Sequence, residues 1–152
     1  MIRLGSIVGL PAALEGRMVG RVEQAVLTCD GHALRGLVIR HGLGGARWAG
    51  AADIAILGDV SVVLSQKPQR LPRDAAFSLN TVKDTGGLNL GRVTDAYVSR
   101  ATLQVAALEV TLGLWEELTQ GRMLARQFTV RNTPGEPGQV LIPFGCSLER
   151  LH

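Results

Sequence analysis

The chain has 152 residues, of which 46% are hydrophobic and 19% are charged. This composition is too apolar for an intrinsically disordered chain, and no apolar stretch approaches the length of a membrane-spanning helix. Aromatic residues make up only 4% of the chain and the formal net charge is +3, which argues against a surface built for stacking nucleic-acid bases. Two cysteines are too few for a disulfide framework, and we therefore expect a cytoplasmic protein.

An internal repeat organises the sequence. Residues 16–42 align without a gap with residues 87–113, and seven of the 27 aligned pairs are identical. An offset of 71 residues that holds over this length predicts that one small module occurs twice, related by twofold or by translational symmetry. Modules of this size have modest cores, and we expect the two to pack on each other or on a second chain.

The first module consists of short predicted strands joined by tight turns. Alternation around Val22 predicts a half-buried strand, and the apolar run 25–27 indicates either a bulge or a part of the strand that is covered on both faces. The Asp-Gly dipeptide at 30–31 predicts a hairpin turn into a returning strand over 33–41, which Gly36 is expected to bend. The remaining predicted elements are a turn at 52–54 and a last strand at 60–64.

The second module repeats the hairpin and then diverges. Its returning strand covers about 103–111, with Ala106 and Ala107 at the position of the bend. Residues 114–118 predict a short helix, with acidic residues in its first turn. A further predicted hairpin pairs strands at 127–131 and 139–143.

These elements predict an all-β protein of two tandem small β-barrel modules. The first covers residues 1–66 and the second 76–152. The segment 67–75 between them carries prolines and charges, which is typical of a linker.

A set of glycine and apolar patterns in the first module points to a known family. The patterns are the entry Val8-Gly9-Leu10-Pro11, the glycine turn and strand over 15–23, the segment 37–40, Ala52-Asp53-Ile54 and the strand over 58–63. Together they resemble the PRC-barrel family over nearly all of residues 6–64. The second module is similar to it over 87–110 only, so the chain resembles a stand-alone tandem PRC-barrel protein.

The resemblance implies small all-β barrels that serve as adaptor or assembly modules, without shared catalytic residues. Members of the family include the cytoplasmic part of the photosynthetic reaction-centre H subunit, ribosome-maturation factors and stand-alone bacterial and archaeal proteins. In the second module we expect no counterpart of the last strand at 60–64, with residues 141–143 instead in place of the family's penultimate strand.

Reactive side chains are sparse in this sequence. No serine lies in a nucleophile-elbow context, and the glycine-rich stretch 85–91 lacks the lysine and the following helix of a phosphate-binding loop. Cys29, His32 and His41 lack a fourth ligand and the paired spacing of a structural zinc site. We therefore expect no enzymatic activity, no cofactor, no metal and no small-molecule substrate.

Two tryptophans and two arginines are the candidate partner-binding residues. Trp48 and Trp115 lie outside the repeated core, and tryptophan is enriched at binding hot spots, although burial in the protein explains them equally well. Arg21 and Arg40 lie in the more basic first module. For Arg21 we favour an outward position opposite a cross-strand acid such as Glu23 over a direct binding role.

The sequence therefore predicts a non-enzymatic cytoplasmic adaptor that binds another protein or a second copy of itself. The alternative is a ribosome- or RNA-associated assembly factor, which the basic first module and the family resemblance suggest. Nine lysines and arginines against six acids in residues 1–74 account for the whole net charge. Insertion into a membrane is not expected.

Overall fold

The computed structural model of the chain describes residues 1–75, 79–84, 89–111, 123–134, 136–142 and 149–150. These residues form an all-β protein with two curled sheets that correspond to the two tandem modules. The strands of the first sheet are β2 (Pro11–Leu14), β3 (Arg17–Leu27), β4 (Leu34–Arg40), β5 (Ala46–Gly50), β6 (Ile54–Leu57), β7 (Val62–Leu64) and β8 (Gln69–Arg70). The N-terminal strand β1 (Ile2–Arg3) belongs to the second sheet.

The second sheet contains one strand for every strand of the first. Its own strands are β9 (Leu79–Asp84), β10 (Asn89–Val98), β11 (Val105–Thr111), β12 (Met123–Ala125), β13 (Thr129–Arg131), β14 (Gly138–Ile142) and β15 (Glu149–Arg150). The order is β6-β7-β2-β3-β4-β5-β8 in the first sheet and β13-β14-β9-β10-β11-β12-β15 in the second. In both sheets the second and third strands of this order are parallel and the other neighbours are antiparallel. The two modules therefore share one topology.

This correspondence corrects one expectation about the second module. Residues 141–142 belong to β14, which occupies the place of β7 beside its parallel partner, and so they are not a penultimate strand. A counterpart of the last strand of the first module is thus present. The sequence pattern did not reveal this counterpart because β7 and β14 are separated by more residues than the 71 that separate the repeated hairpins. The helix predicted at 114–118 lies outside the described residues.

The repeated hairpin is reproduced in register as well as in topology. The pairing of β3 with β4 skips Glu23, and the pairing of β10 with β11 skips its counterpart Thr94. A second irregularity follows on the returning strands at Arg35 and Ala106, each next to the small residues that were expected to mark a bend. The hairpin turn at Gly31 is also confirmed, with φ of 75°. Bulges increase the local twist and allow each sheet to curl.

Several strands, including the six-residue β9, lie where the sequence predicted none, and two of the others affect the division between the modules. β8 falls inside the segment predicted as a linker and pairs with β5 at the edge of the first sheet. β1 comes from the predicted first module but pairs with β10 of the second sheet. The boundaries at 66 and 76 remain a prediction. Of these two strands only β1 crosses to the sheet of the other module, whereas β8 extends the first sheet.

The apolar cores of the two sheets form one continuous cluster. Both copies of the repeat contribute equivalent residues to the centre of this cluster. Leu37 and its counterpart Leu108 are fully buried, and Ile39 and its counterpart Val110 are at most 1% exposed. Burying one such side chain contributes about 1.5–3 kcal/mol. No helix in the described part of the chain is long and apolar enough to cross a membrane.

Candidate protein-binding groove at the module junction

The two modules meet at a short backbone pairing between repeat counterparts. Ala33 and Gln104, which are counterparts of each other, form an antiparallel bridge. Two hydrogen bonds flank it, from Leu34 N to Leu103 O and from Val105 N to His32 O, each of 2.8 Å. The two bonds are equivalent, because Leu34 is the repeat counterpart of Val105 and His32 is the counterpart of Leu103. The junction therefore has an approximate twofold axis, and of the two symmetries that the repeat left open, the twofold one is present.

The tips of the two hairpins extend this symmetric junction. Asn132, in the turn after β13, donates a hydrogen bond of 2.9 Å to the carbonyl oxygen of Cys29. At the other end Arg100, the counterpart of Cys29, forms an ion pair with Asp59 in the turn after β6. Each hairpin tip thus reaches the turn that follows the edge strand of the other module.

A groove of about 290 Å³ lies at this junction. Its walls include Glu23, Gln24 and Ala25 of β3 and, opposite them, the repeat counterparts Thr94, Asp95 and Ala96 of β10. Leu4 and Val8 of the N-terminal segment also line it, and the Val8 side chain is 50% exposed. The groove therefore combines small and apolar side chains with a few polar groups, which is the composition typical of binding sites.

The N-terminal segment is fixed beside the groove by an unusual cluster of charges. Arg3 contacts Asp95 at 3.0 Å through Nε and Glu109 at 3.1 Å through a terminal nitrogen. Glu109 is fully buried and also accepts a hydrogen bond of 2.8 Å from the hydroxyl of Thr94. The hydrogen bond to Glu109 raises the pKa of Arg3 above its ordinary value, so this guanidinium remains charged. Asp95 additionally accepts bonds from the backbone N–H groups of Gly5 and Ala96.

The carboxylates around the groove are thus already engaged inside the protein. Glu23 forms an ion pair with Arg40 at 3.0 Å, and Asp95 holds Arg3. Among the residues that the structure describes, no three His, Cys, Asp or Glu side chains come together as a metal site would require. Neutral, apolar groups are the chemistry that this groove accommodates best.

Arg21 and Arg40 lie opposite each other on β3 and β4, and both are exposed. The expected pairing of Arg21 with Glu23 is wrong. Because Glu23 is the bulged residue, it is displaced toward Arg40, whose Nε it binds at 3.0 Å. Arg21 instead donates a hydrogen bond of 3.0 Å to the carbonyl oxygen of Gly9. Arg40 therefore reaches the rim of the groove through Glu23, whereas Arg21 supports the segment that carries Val8.

Trp48 lies on β5, away from the groove, and is half-buried. Its ring packs over Gly36, where a Cβ atom would overlap it, and the guanidinium of Arg35 lies 5.5 Å from the ring centre. Arg35 is in turn held by Asp74 at 2.9 Å. Much of the indole is thus covered within the chain, which fits the structural alternative for this residue. Trp115 lies outside the described residues.

One pair of basic residues was not predicted from the sequence. Arg47 on β5 and Arg70 on β8 are directly opposite each other and both are exposed. Like charges in this arrangement are unfavourable and attract an anion. The pair was hidden because β8 lies in the segment predicted as a linker, so nothing indicated that residues 47 and 70 would be neighbours.

Acid is expected to weaken two ion pairs, that of Arg100 with Asp59 at the junction and that of Arg35 with Asp74 in the first module. The hydrogen bond from Arg100 lowers the pKa of Asp59 below its usual 3.8, and that from Arg35 does the same for Asp74. A carboxyl whose pKa is lower in the folded state stabilises the protein above the ordinary pKa and ceases to do so as the pH falls through the folded value. We expect Asp59→Asn to lower the melting temperature at neutral pH and to have no effect in strong acid. A difference between variant and wild type that does not change with pH would contradict this assignment.

No protein-family model matches the sequence, and no curated protein is significantly similar to it. The resemblance to the PRC-barrel family accordingly remains a prediction that rests on the residue patterns of the first module.

Proposed function

We propose that this chain is a non-enzymatic, cytoplasmic protein-binding module, and that its partner inserts apolar side chains into the groove at the module junction. The observation that carries the proposal is the groove itself. It lies between two modules of the same topology, it is lined by small and apolar side chains beside a few polar ones, and Val8 is 50% exposed. The exposed free thiol of Cys29 accords with a reducing compartment.

The electrostatics of the groove support a protein over a nucleic acid. Glu23 and Asp95 are acidic groups on its walls, and each neutralises an arginine. Binding to a nucleic acid needs lysine or arginine side chains that are free to neutralise phosphates and so displace the counterions around them. Apolar burial around a few anchor side chains needs no such charges and tolerates salt.

A second candidate function is supported by a different surface. Arg47 and Arg70 form an exposed like-charged pair in the first module, and Met123 and Arg150 hold the corresponding register positions in the second. A site with two guanidinium groups suits the phosphates of RNA, and this observation supports the alternative of a ribosome- or RNA-associated assembly factor. This pair lies on β5 and β8, elements that do not line the groove.

Photo-crosslinking from inside the groove tests the proposal. A photoreactive benzoylphenylalanine is placed at Val8 and, as a control, at Leu43, whose side chain is fully exposed in a loop away from the groove. We expect the Val8 probe to capture one protein that the Leu43 probe does not, and Gln24→Trp, which fills the groove from an exposed wall position, to abolish that capture. Equal capture from both positions, or covalent attachment of RNA at Val8, would overturn the proposal.

A further inference from the structure

A row of apolar side chains crosses the outer face of the first sheet. Strand register aligns Ile56 of β6 with Val63 of β7, then Ala13 of β2 and Met18 of β3. We call these four residues the outer stripe. Cross-strand partners lie on one face of a sheet, and this face is not the core, because Ile56 is 59% and Met18 51% exposed. The neighbouring row, which contains Leu57, Val62 and Ala12, is buried at 3% exposure or less.

The second module shows that the fold does not require an apolar stripe. The row equivalent to the outer stripe begins with Thr129 of β13, Leu141 of β14 and Lys83 of β9. The topology and register are the same in both modules, yet the second carries a hydroxyl and an ammonium group where the first carries Ile56 and Ala13. The shared fold therefore does not require apolar side chains at these exposed positions of the first module.

The outer stripe ends at an edge strand that lacks the usual protection. β6 is the terminal strand of the first sheet, and residues 54–58 contain no charged side chain. Natural edge strands are commonly protected by charges, and the equivalent edge strand β13 carries Arg131. A bulge at Ala55 interrupts β6, but it leaves both Ala55 and Ile56 exposed. The least protected edge thus coincides with the apolar end of the stripe.

We propose that the outer stripe and the β6 edge bind a second copy of this chain about a twofold axis, with the Ile56 side chains of the two copies in contact. This surface is separate from the groove, so the proposal does not rest on the proposed function. A twofold contact requires a surface that complements itself, and an uncharged apolar row meets that requirement without like-charge repulsion. Of the two acids that flank β6, Asp59 is neutralised by Arg100, which leaves Asp53 at one end.

The size of the surface implies a weak dimer. The outer stripe and the β6 edge together contain fewer than ten residues, well below the roughly 20–30 residues a side of a standard stable interface. We therefore expect dissociation constants of roughly tens to hundreds of micromolar, with association driven by apolar burial.

Sedimentation velocity on the full chain tests the dimer. Wild-type protein is compared with Ile56→Lys and with Thr129→Lys, which introduces the same charge at the equivalent position of the second module. Over about 5–500 μM we expect wild type and Thr129→Lys to shift from monomer to dimer, and Ile56→Lys to raise the dissociation constant by about tenfold or more. Met18→Lys, at the other end of the stripe, should weaken the dimer as well.

Three results would overturn the proposal. The first is a wild-type protein that stays monomeric throughout this range, and the second is a dimer that Ile56→Lys leaves unchanged. The third is a dimer that dissociates when the salt is raised from about 0.15 to about 0.5 M, because salt screens contacts between charges but not apolar contacts. Ile56 is exposed, so the variant is expected to fold, and an unchanged circular dichroism spectrum and melting temperature verify this. If the groove binds its partner while the chain stays monomeric, only this inference fails.

Discussion

Replacing Arg3 with methionine is expected to lower the free energy of unfolding by about 3 kcal/mol. Arg3 forms an ion pair with Glu109, whose side chain is fully buried, and it also contacts Asp95. Removing one partner of a buried ion pair weakens the compensation of the other charge, which costs about 3–5 kcal/mol. The lower end applies here because 38% of the Arg3 side chain is exposed. Denaturant unfolding followed by circular dichroism measures the loss.

Two control variants separate the charge from other effects of the substitution. Arg92→Met changes an exposed arginine on β10 and should alter the stability by less than about 0.5 kcal/mol. Adding Glu109→Gln to Arg3→Met also removes the buried negative charge and should restore about 1 kcal/mol or more. If Arg3→Met is no more harmful than Arg92→Met, the N-terminal segment is not held by this cluster.

Replacing Gly20 with alanine is expected to cost about 3 kcal/mol. At this position φ is 151°, and a Cβ atom would lie 2.6 Å from Ile39 Cγ2 and 2.8 Å from the carbonyl oxygen of Arg40. The second contact is with backbone and cannot be relieved by a rotamer change. Gly91, the repeat counterpart, has φ of 145°, which explains why this glycine occurs in both modules.

Gly42→Ala is the matched control for the backbone contribution. Gly42 also has a positive φ, 51°, but nothing lies within 4 Å of the position of its Cβ. Its replacement should cost about 1 kcal/mol or less, and the excess cost at Gly20 measures the steric conflict. Equal losses at the two positions in thermal or denaturant unfolding would contradict the close packing of β3 against β4.

The parts of the fold that the sequence predicted are those encoded locally. Alternation around Val22, the Asp-Gly turn at 30–31 and the 71-residue offset were enough to predict an all-β chain of two modules with paired bulged hairpins. Each of these patterns depends on residues close together in the chain or on the repeat itself. The same reasoning did not find β9, which has six residues, and it could not find β1 or β8, because strands of two residues have no periodicity to detect.

The candidate groove could not be predicted for a related reason. It forms where β3 and β10 meet across the module junction, and a single sequence contains no information on which face of each module is used. Glu109 illustrates the difficulty. Its repeat counterpart is Val38, so a charged residue at a core position was visible in the alignment, but its ion pair with Arg3, which is 106 residues away, was not.

The most direct test of the central claim is the affinity of the purified chain for the protein captured through Val8. We predict that Gln24→Trp weakens binding by about tenfold or more, that Arg47→Ala with Arg70→Ala leaves it within about threefold, and that raising the salt to about 0.5 M changes it little. Binding that Gln24→Trp does not affect, but that the arginine substitutions and salt abolish, would contradict the account and favour the RNA-associated alternative.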